Sequence, residues 1–169
     1  MKKIEGSTIF MVEDNELFAE TLAISLRNLG YVVRTFRSGE QMISSWEVDP
    51  DIILLDFYIE SKLGVAMNGD KILRFIRRIS KSLPVVFLTS NADIDNATLL
   101  LKLGAVDFIP KDEYLLPNLQ KTLHQILNAK LLRQEMAMNK INIKKYRQHF
   151  LVICLIIALA AVTILWLSS

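Results

Sequence analysis

The sequence predicts an α/β fold, a doubly wound five-stranded parallel sheet, followed by a long helix and one transmembrane helix. Three observations predict it. Short apolar runs rich in Ile, Val and Phe alternate five times with segments of helical length. Runs such as IILLD and VVFLT are apolar without alternation, which suits strands covered on both faces, as in a parallel sheet with helices on either side. The third is a tail over 150–167, FLVICLIIALAAVTILWL, without a single charge. At 1.5 Å per residue such a helix approaches the roughly 30 Å of a bilayer's hydrocarbon core.

Taken in chain order, strands are expected over 7–13, 31–36, 52–56, 84–88 and 105–109, with helices over 16–28, 39–48, 69–80 and 94–103 and a fifth from Leu116. Each boundary carries its own chemistry. Asp14 or Asn15 can cap the first helix, because a short side-chain oxygen satisfies an N–H that the first turn leaves open. Gly30 and Gly104 close helices, Asp49-Pro50 opens the third strand and Pro84 the fourth.

Charge divides the chain of 169 residues further. Residues 1–120 hold 13 Lys/Arg against 17 Asp/Glu, 121–149 hold seven against Glu135 alone, and the last twenty hold none. A folded unit over 7–125, a basic helical connector over 126–149 and a membrane span over 150–167 follow. A nucleic-acid binder would carry its basic charge on the folded surface, so that class of partner is excluded. One cysteine, Cys154, excludes an internal disulfide and a cysteine-based zinc site.

In an open parallel sheet, chemistry gathers outside the carboxyl ends of the strands. Here those ends carry Glu13-Asp14, Asp56, Thr89-Ser90 and Lys111. Three carboxylates on one rim repel one another, and an all-oxygen set with room for water suits Mg²⁺. A carboxylate beside a cation and a hydroxyl is also a receptor for a phosphoryl group, with the carboxylate as nucleophile. Asp56, at the end of the uninterrupted IILL, is the central one.

This set resembles the receiver domain of bacterial two-component response regulators. The resemblance implies a flavodoxin-like strand order 2-1-3-4-5, Asp56 as phosphoacceptor, and Mg²⁺ held by Glu13, Asp14, Asp56 and the backbone carbonyl of Tyr58. It implies Thr89 as the hydroxyl that follows the phosphoryl group, Phe108 as the aromatic that turns with it, and Lys111 as its counter-ion. The donor would be a histidine kinase or phosphotransfer protein, and the chain a substrate of catalysis rather than an enzyme. Three departures stand out. Glu60 replaces the usual proline after the acceptor, Met67-Asn68-Gly69 follows later than its counterpart does, and Asp112 rather than proline follows Lys111.

Beyond the receiver, Leu116 to His149 reads as one helix, with Leu127, Leu131, Met138 and Ile141 as a weak homodimer seam and a basic face suited to anionic lipid. Lys140, Lys144, Lys145 and Arg147 precede the apolar run, which places that edge on the cytoplasmic side. The expectation is a tail-anchored inner-membrane protein with its receiver in the cytoplasm, acting by protein contact or as a phosphate sink. The alternative is a membrane-tethered scaffold regulated without phosphorylation.

Overall fold

The computed structural model describes residues 6–59, 69–90 and 94–167, with side chains left out at 94–97, 152 and 154–167. The chain divides into two compact units, Met1–Asn128 and Ala129–Ser169. In the first, β1 (Thr8–Val12), β2 (Val32–Phe36), β3 (Ile52–Asp56), β4 (Val85–Thr89) and β5 (Asp107–Pro110) pair in parallel in the order β2-β1-β3-β4-β5. The helices are α1 (Glu16–Asn28), α2 (Gly39–Ser44), α3 (Gly69–Ile79), α4 (Ile94–Lys102) and α5 (Leu115–Leu167).

Successive strand residues face opposite sides, and both sides are filled. Ile9, Met11, Leu54 and Leu88 join Leu22 and Leu26 of α1 and Leu119 and Leu123 of α5 in one core. Phe10, Val12, Ile53, Leu55 and Phe87 join Met42 of α2 and Ile72 and Ile76 of α3 in the other. That double cover is why the strands read as unbroken apolar runs. Helix ends follow local chemistry as well. The Ser38 hydroxyl accepts from Gln41 N at 3.2 Å at the start of α2. α1 ends on Gly30 at φ +90°, whose N–H returns to the Arg27 carbonyl at 2.9 Å.

Two elements differ from expectation. α2 stops at Ser44 instead of running to Val48. Two serines weaken its end, and Trp46 turns inward against Phe10, with ring centroids 6.1 Å apart and its Nε1 donating to Asp49 at 2.9 Å. β5 starts two residues late. Gly104, at φ +100°, lets Ala105 N bond back to Leu100 O at 3.0 Å, so pairing with β4 begins only when Val106 N reaches Val85 O.

α5 is helical over 53 residues. Within the first unit Leu115, Leu119, Leu123 and Leu127, four apart, all face the core. Leu127 is therefore committed to the receiver, and the seam expected to start there loses its first member. The expected transmembrane helix over 150–167 is not recovered: among the described residues no helix is long and apolar enough to cross a membrane. Most side chains of that run lie outside the described residues.

Candidate functional site

The carboxyl ends of β1, β3 and β5 bring Glu13, Asp14, Asp56 and Lys111 to one rim. β1 and β3 lie side by side, with Val12 opposite Leu55, which sets Glu13-Asp14 beside Asp56. Asn15, the cap of α1, accepts from Phe18 N at 3.1 Å. The cap role thus falls to Asn15, and Asp14 is not needed for it. Carboxylate oxygens of Glu13, Asp14 and Asp56 lie within 4.8 Å of one another, a spacing that a single divalent cation can bridge.

Lys111 Nζ donates to Asp56 Oδ2 at 2.8 Å and to Glu13 Oε2 at 2.6 Å. The three side chains are 13%, 6% and 1% exposed, so the pairing is shielded from solvent. The second oxygen of each acid is held by backbone: Tyr58 N donates to Asp56 Oδ1 at 3.3 Å and Asn15 N to Glu13 Oε1 at 3.2 Å. Burial pushes the Glu13 carboxyl above its ordinary value; the Lys111 hydrogen bond opposes this and the Asp56 charge reinforces it. A group that is uncomfortable as an anion gains from any added cation, and the all-oxygen donor set fits Mg²⁺.

Thr89 ends β4 and is buried; its neighbour Leu88 is the strand partner of Asp56, and its carbonyl accepts from Lys111 N at 2.7 Å. Thr89 and Lys111 are therefore locked together by backbone. Phe108, three residues before Lys111, is half-buried against the second core. Tyr58 is half-exposed, its ring edge-on to Phe57 at 4.7 Å. Glu60, Met67 and Asn68 lie outside the described residues.

One site residue, Phe18, escaped the sequence reading, and the close packing of a second, Gly69, left no trace in it. The ring of Phe18 lies under Lys111 Nζ, 4.6 Å from its centroid, and helps hold the ammonium in place. An aromatic in the first turn of α1, on the helix face toward the strand ends, was the available signal. Gly69 begins α3 against the acceptor: a Cβ there would stand 2.7 Å from the Phe87 ring, 3.0 Å from the Asp56 carbonyl and 3.2 Å from Phe57 Cα. Gly69→Ala is expected to lose about 1–3 kcal/mol by overpacking beside the acceptor. Chemical denaturation of the variant checks it, and an unchanged midpoint would mean that α3 shifts without cost.

A five-stranded sheet in the order 2-1-3-4-5, with an acid triad and a lysine at its carboxyl edge, defines a phosphoacceptor signalling domain. The response regulator receiver domain family matches residues 9–128, and the chain belongs to that family. Over 128 residues it is 33% identical to the DNA-binding response regulator MtrA of Mycolicibacterium smegmatis, covering 75% of this chain and 51% of that protein. Over 107 residues it is 31% identical to the C4-dicarboxylate transport transcriptional regulatory protein DctR of Rhodobacter capsulatus, covering 62% and 52%. The chain thus spans about half the length of these curated relatives. Among solved structures, the non-phosphorylated HemR receiver domain from Leptospira biflexa superposes with a TM-score of 0.62 at 27% identity, covering 71% of this chain and 93% of that one.

Proposed function

We propose that this chain is a membrane-tethered response regulator that accepts a phosphoryl group on Asp56 from a histidine kinase or phosphotransfer protein. The observation that carries the reading is the pair of hydrogen bonds from Lys111 Nζ to Asp56 and Glu13 among buried side chains. In the transfer, an Asp56 carboxylate oxygen bonds to phosphorus as the bond from phosphorus to the donor's histidine nitrogen breaks, and the nitrogen keeps the electron pair. Lys111, already on Asp56, follows the charge onto the phosphoryl oxygens. Thr89, bonded to Lys111 through backbone, would supply a hydroxyl, and Phe108 would repack as the Thr89 side chain moves. Glu13, Asp14, Asp56 and the Tyr58 carbonyl would hold Mg²⁺, whose charge offsets that of the acids and of the incoming group. Output is by protein contact at the inner membrane or by draining phosphate from a relay.

Incubation with acetyl phosphate and Mg²⁺ tests the acceptor. One phosphoryl group should add per chain, should need Mg²⁺ and should be released by hydroxylamine. Absence of labelling in a folded protein would favour the phosphorylation-independent scaffold.

The uncharged run over 150–167 and the basic residues Lys140, Lys144, Lys145 and Arg147 before it support the tether. An arginine at the centre of a span costs about 2.5–3.5 kcal/mol on insertion scales. Ala158→Arg should therefore move full-length protein from the membrane pellet toward the soluble fraction. Wild-type protein that is soluble without detergent would contradict the tether.

A further inference from the structure

The second compact unit begins at Ala129, and among its described residues apolar side chains stand exposed. Leu132, Met136, Ile143, Tyr146 and Phe150, which share one side of the helix, are each between 55% and 77% exposed, and Met138, Ile141 and Leu151 are as exposed on its other sides. Scattered surface apolar residues are ordinary, but the first-named fall on one line. Ala129, Met136, Ile143 and Phe150 recur every seven residues, and Leu132, Asn139 and Tyr146 lie between them at alternating steps of three and four. That is the a and d pattern of a coiled coil, sustained for three heptads. It differs from the seam expected from sequence, whose Leu127 is buried in the receiver.

Charge identifies the occupant. With Met136 and Ile143 as a, the e positions are Arg133, Lys140 and Arg147, and the g positions are Asn128, Glu135, Asn142 and His149. In a parallel pair each g faces the e of the next heptad on the other helix. Glu135, the sole acid in 121–149, then meets Lys140 of the second copy, while Asn128 and Asn142 meet the two arginines. An antiparallel pair would instead set the cations at e against one another. Asn139, the one polar residue of the seam, meets its own counterpart only in register, where two amides can bond to each other.

We propose that residues 129–150 of α5 form a parallel, in-register coiled coil with a second copy of this chain. The pairing goes beyond the phosphoacceptor reading and does not require it. Full-length protein in mild detergent, in a Cys154→Ser background, tests it by disulfide formation under mild oxidation. Ile143→Cys, on the seam, should form a disulfide dimer roughly tenfold faster than Ile141→Cys, which is as exposed but lies on the opposite side of the helix. Glu135→Lys should slow the Ile143→Cys reaction, and adding Lys140→Glu should restore it. The same crosslink should appear in Asp56→Asn, so loss of phosphorylation and loss of pairing are read separately. Equal rates at 143 and 141, no crosslink at either, or no rescue by the charge swap would overturn the proposal. So would a lipid-facing stripe. In phosphatidylcholine–phosphatidylserine vesicles, brominated acyl chains should leave a fluorophore on Ile143→Cys unquenched, and quenching would assign that face to the membrane.

Discussion

Asp56→Asn should take up no phosphoryl group from acetyl phosphate or a cognate kinase, while the receiver stays folded. The amide keeps the size of the side chain and an oxygen to accept from Lys111, but it is no nucleophile. Its fold should survive for an electrostatic reason: the substitution removes one of three clustered negative charges and leaves Lys111 on Glu13 at 2.6 Å. Intact-protein mass after acetyl phosphate and Mg²⁺ gives the answer, with thermal unfolding as the control. Labelling at wild-type stoichiometry would move the acceptor to Glu13 or Asp14 and end the assignment.

Lys111→Met should damage the fold more than any other single change at the site. The lysine is the counter-charge of two acids that are 1% and 6% exposed. Removing one partner of a buried pair typically costs about 3–5 kcal/mol, because the charge left behind has neither water nor a counter-ion. For a domain of this size that lowers Tm by roughly 10–20 °C. Mg²⁺ should recover a large part of the loss, since a divalent cation among Glu13, Asp14 and Asp56 replaces the missing charge. Adding Glu13→Gln should recover another part without metal.

The pH dependence of that second rescue has a fixed sign. Burial raises the Glu13 carboxyl above its ordinary value of 4.5, so ionisation weakens the fold. Below 4.5 the group is protonated both folded and unfolded, and its contribution to stability is fully present. As pH climbs from there through the raised folded value, the stability of the protonated form is lost. The advantage of Glu13→Gln over glutamate should therefore grow with pH and then level off. Melting curves across pH, with and without Mg²⁺, check both parts. A Lys111→Met variant as stable as wild type would mean that the lysine does not balance these acids.

Much of this was legible before the structure because burial on both faces leaves an unmistakable trace. IILLD and VVFLT had to be inner strands, and a parallel sheet brings the residues after such strands to one rim. Glu13, Asp14, Asp56 and Lys111 could accordingly be grouped across 98 residues of chain separation between Glu13 and Lys111. What could not be read depended on contacts rather than pattern. The early end of α2 follows from Trp46 finding Phe10, and no local spacing records that partner. Phe18 beneath Lys111 is invisible for the same reason. In α5 two interleaved apolar stripes have the same spacing, and the burial of Leu127 in the receiver removes the first member of one of them. The segment with Glu60, Met67 and Asn68 lies outside the described residues.

Pro110 has a consequence at the margin of the sheet. β5 is an outer strand, and the N–H of Lys111 points inward to the Thr89 carbonyl. Along a strand the N–H groups alternate sides, so residue 110 is one whose donor would face outward. Proline has none to offer. The open border of the sheet is therefore interrupted at the rung beside the acid triad, and an extended segment trying to dock there meets a gap in its ladder. A protein gathered at high local density runs the risk of fusing sheet to sheet. This chain carries a barrier against that at the very strand that delivers its lysine.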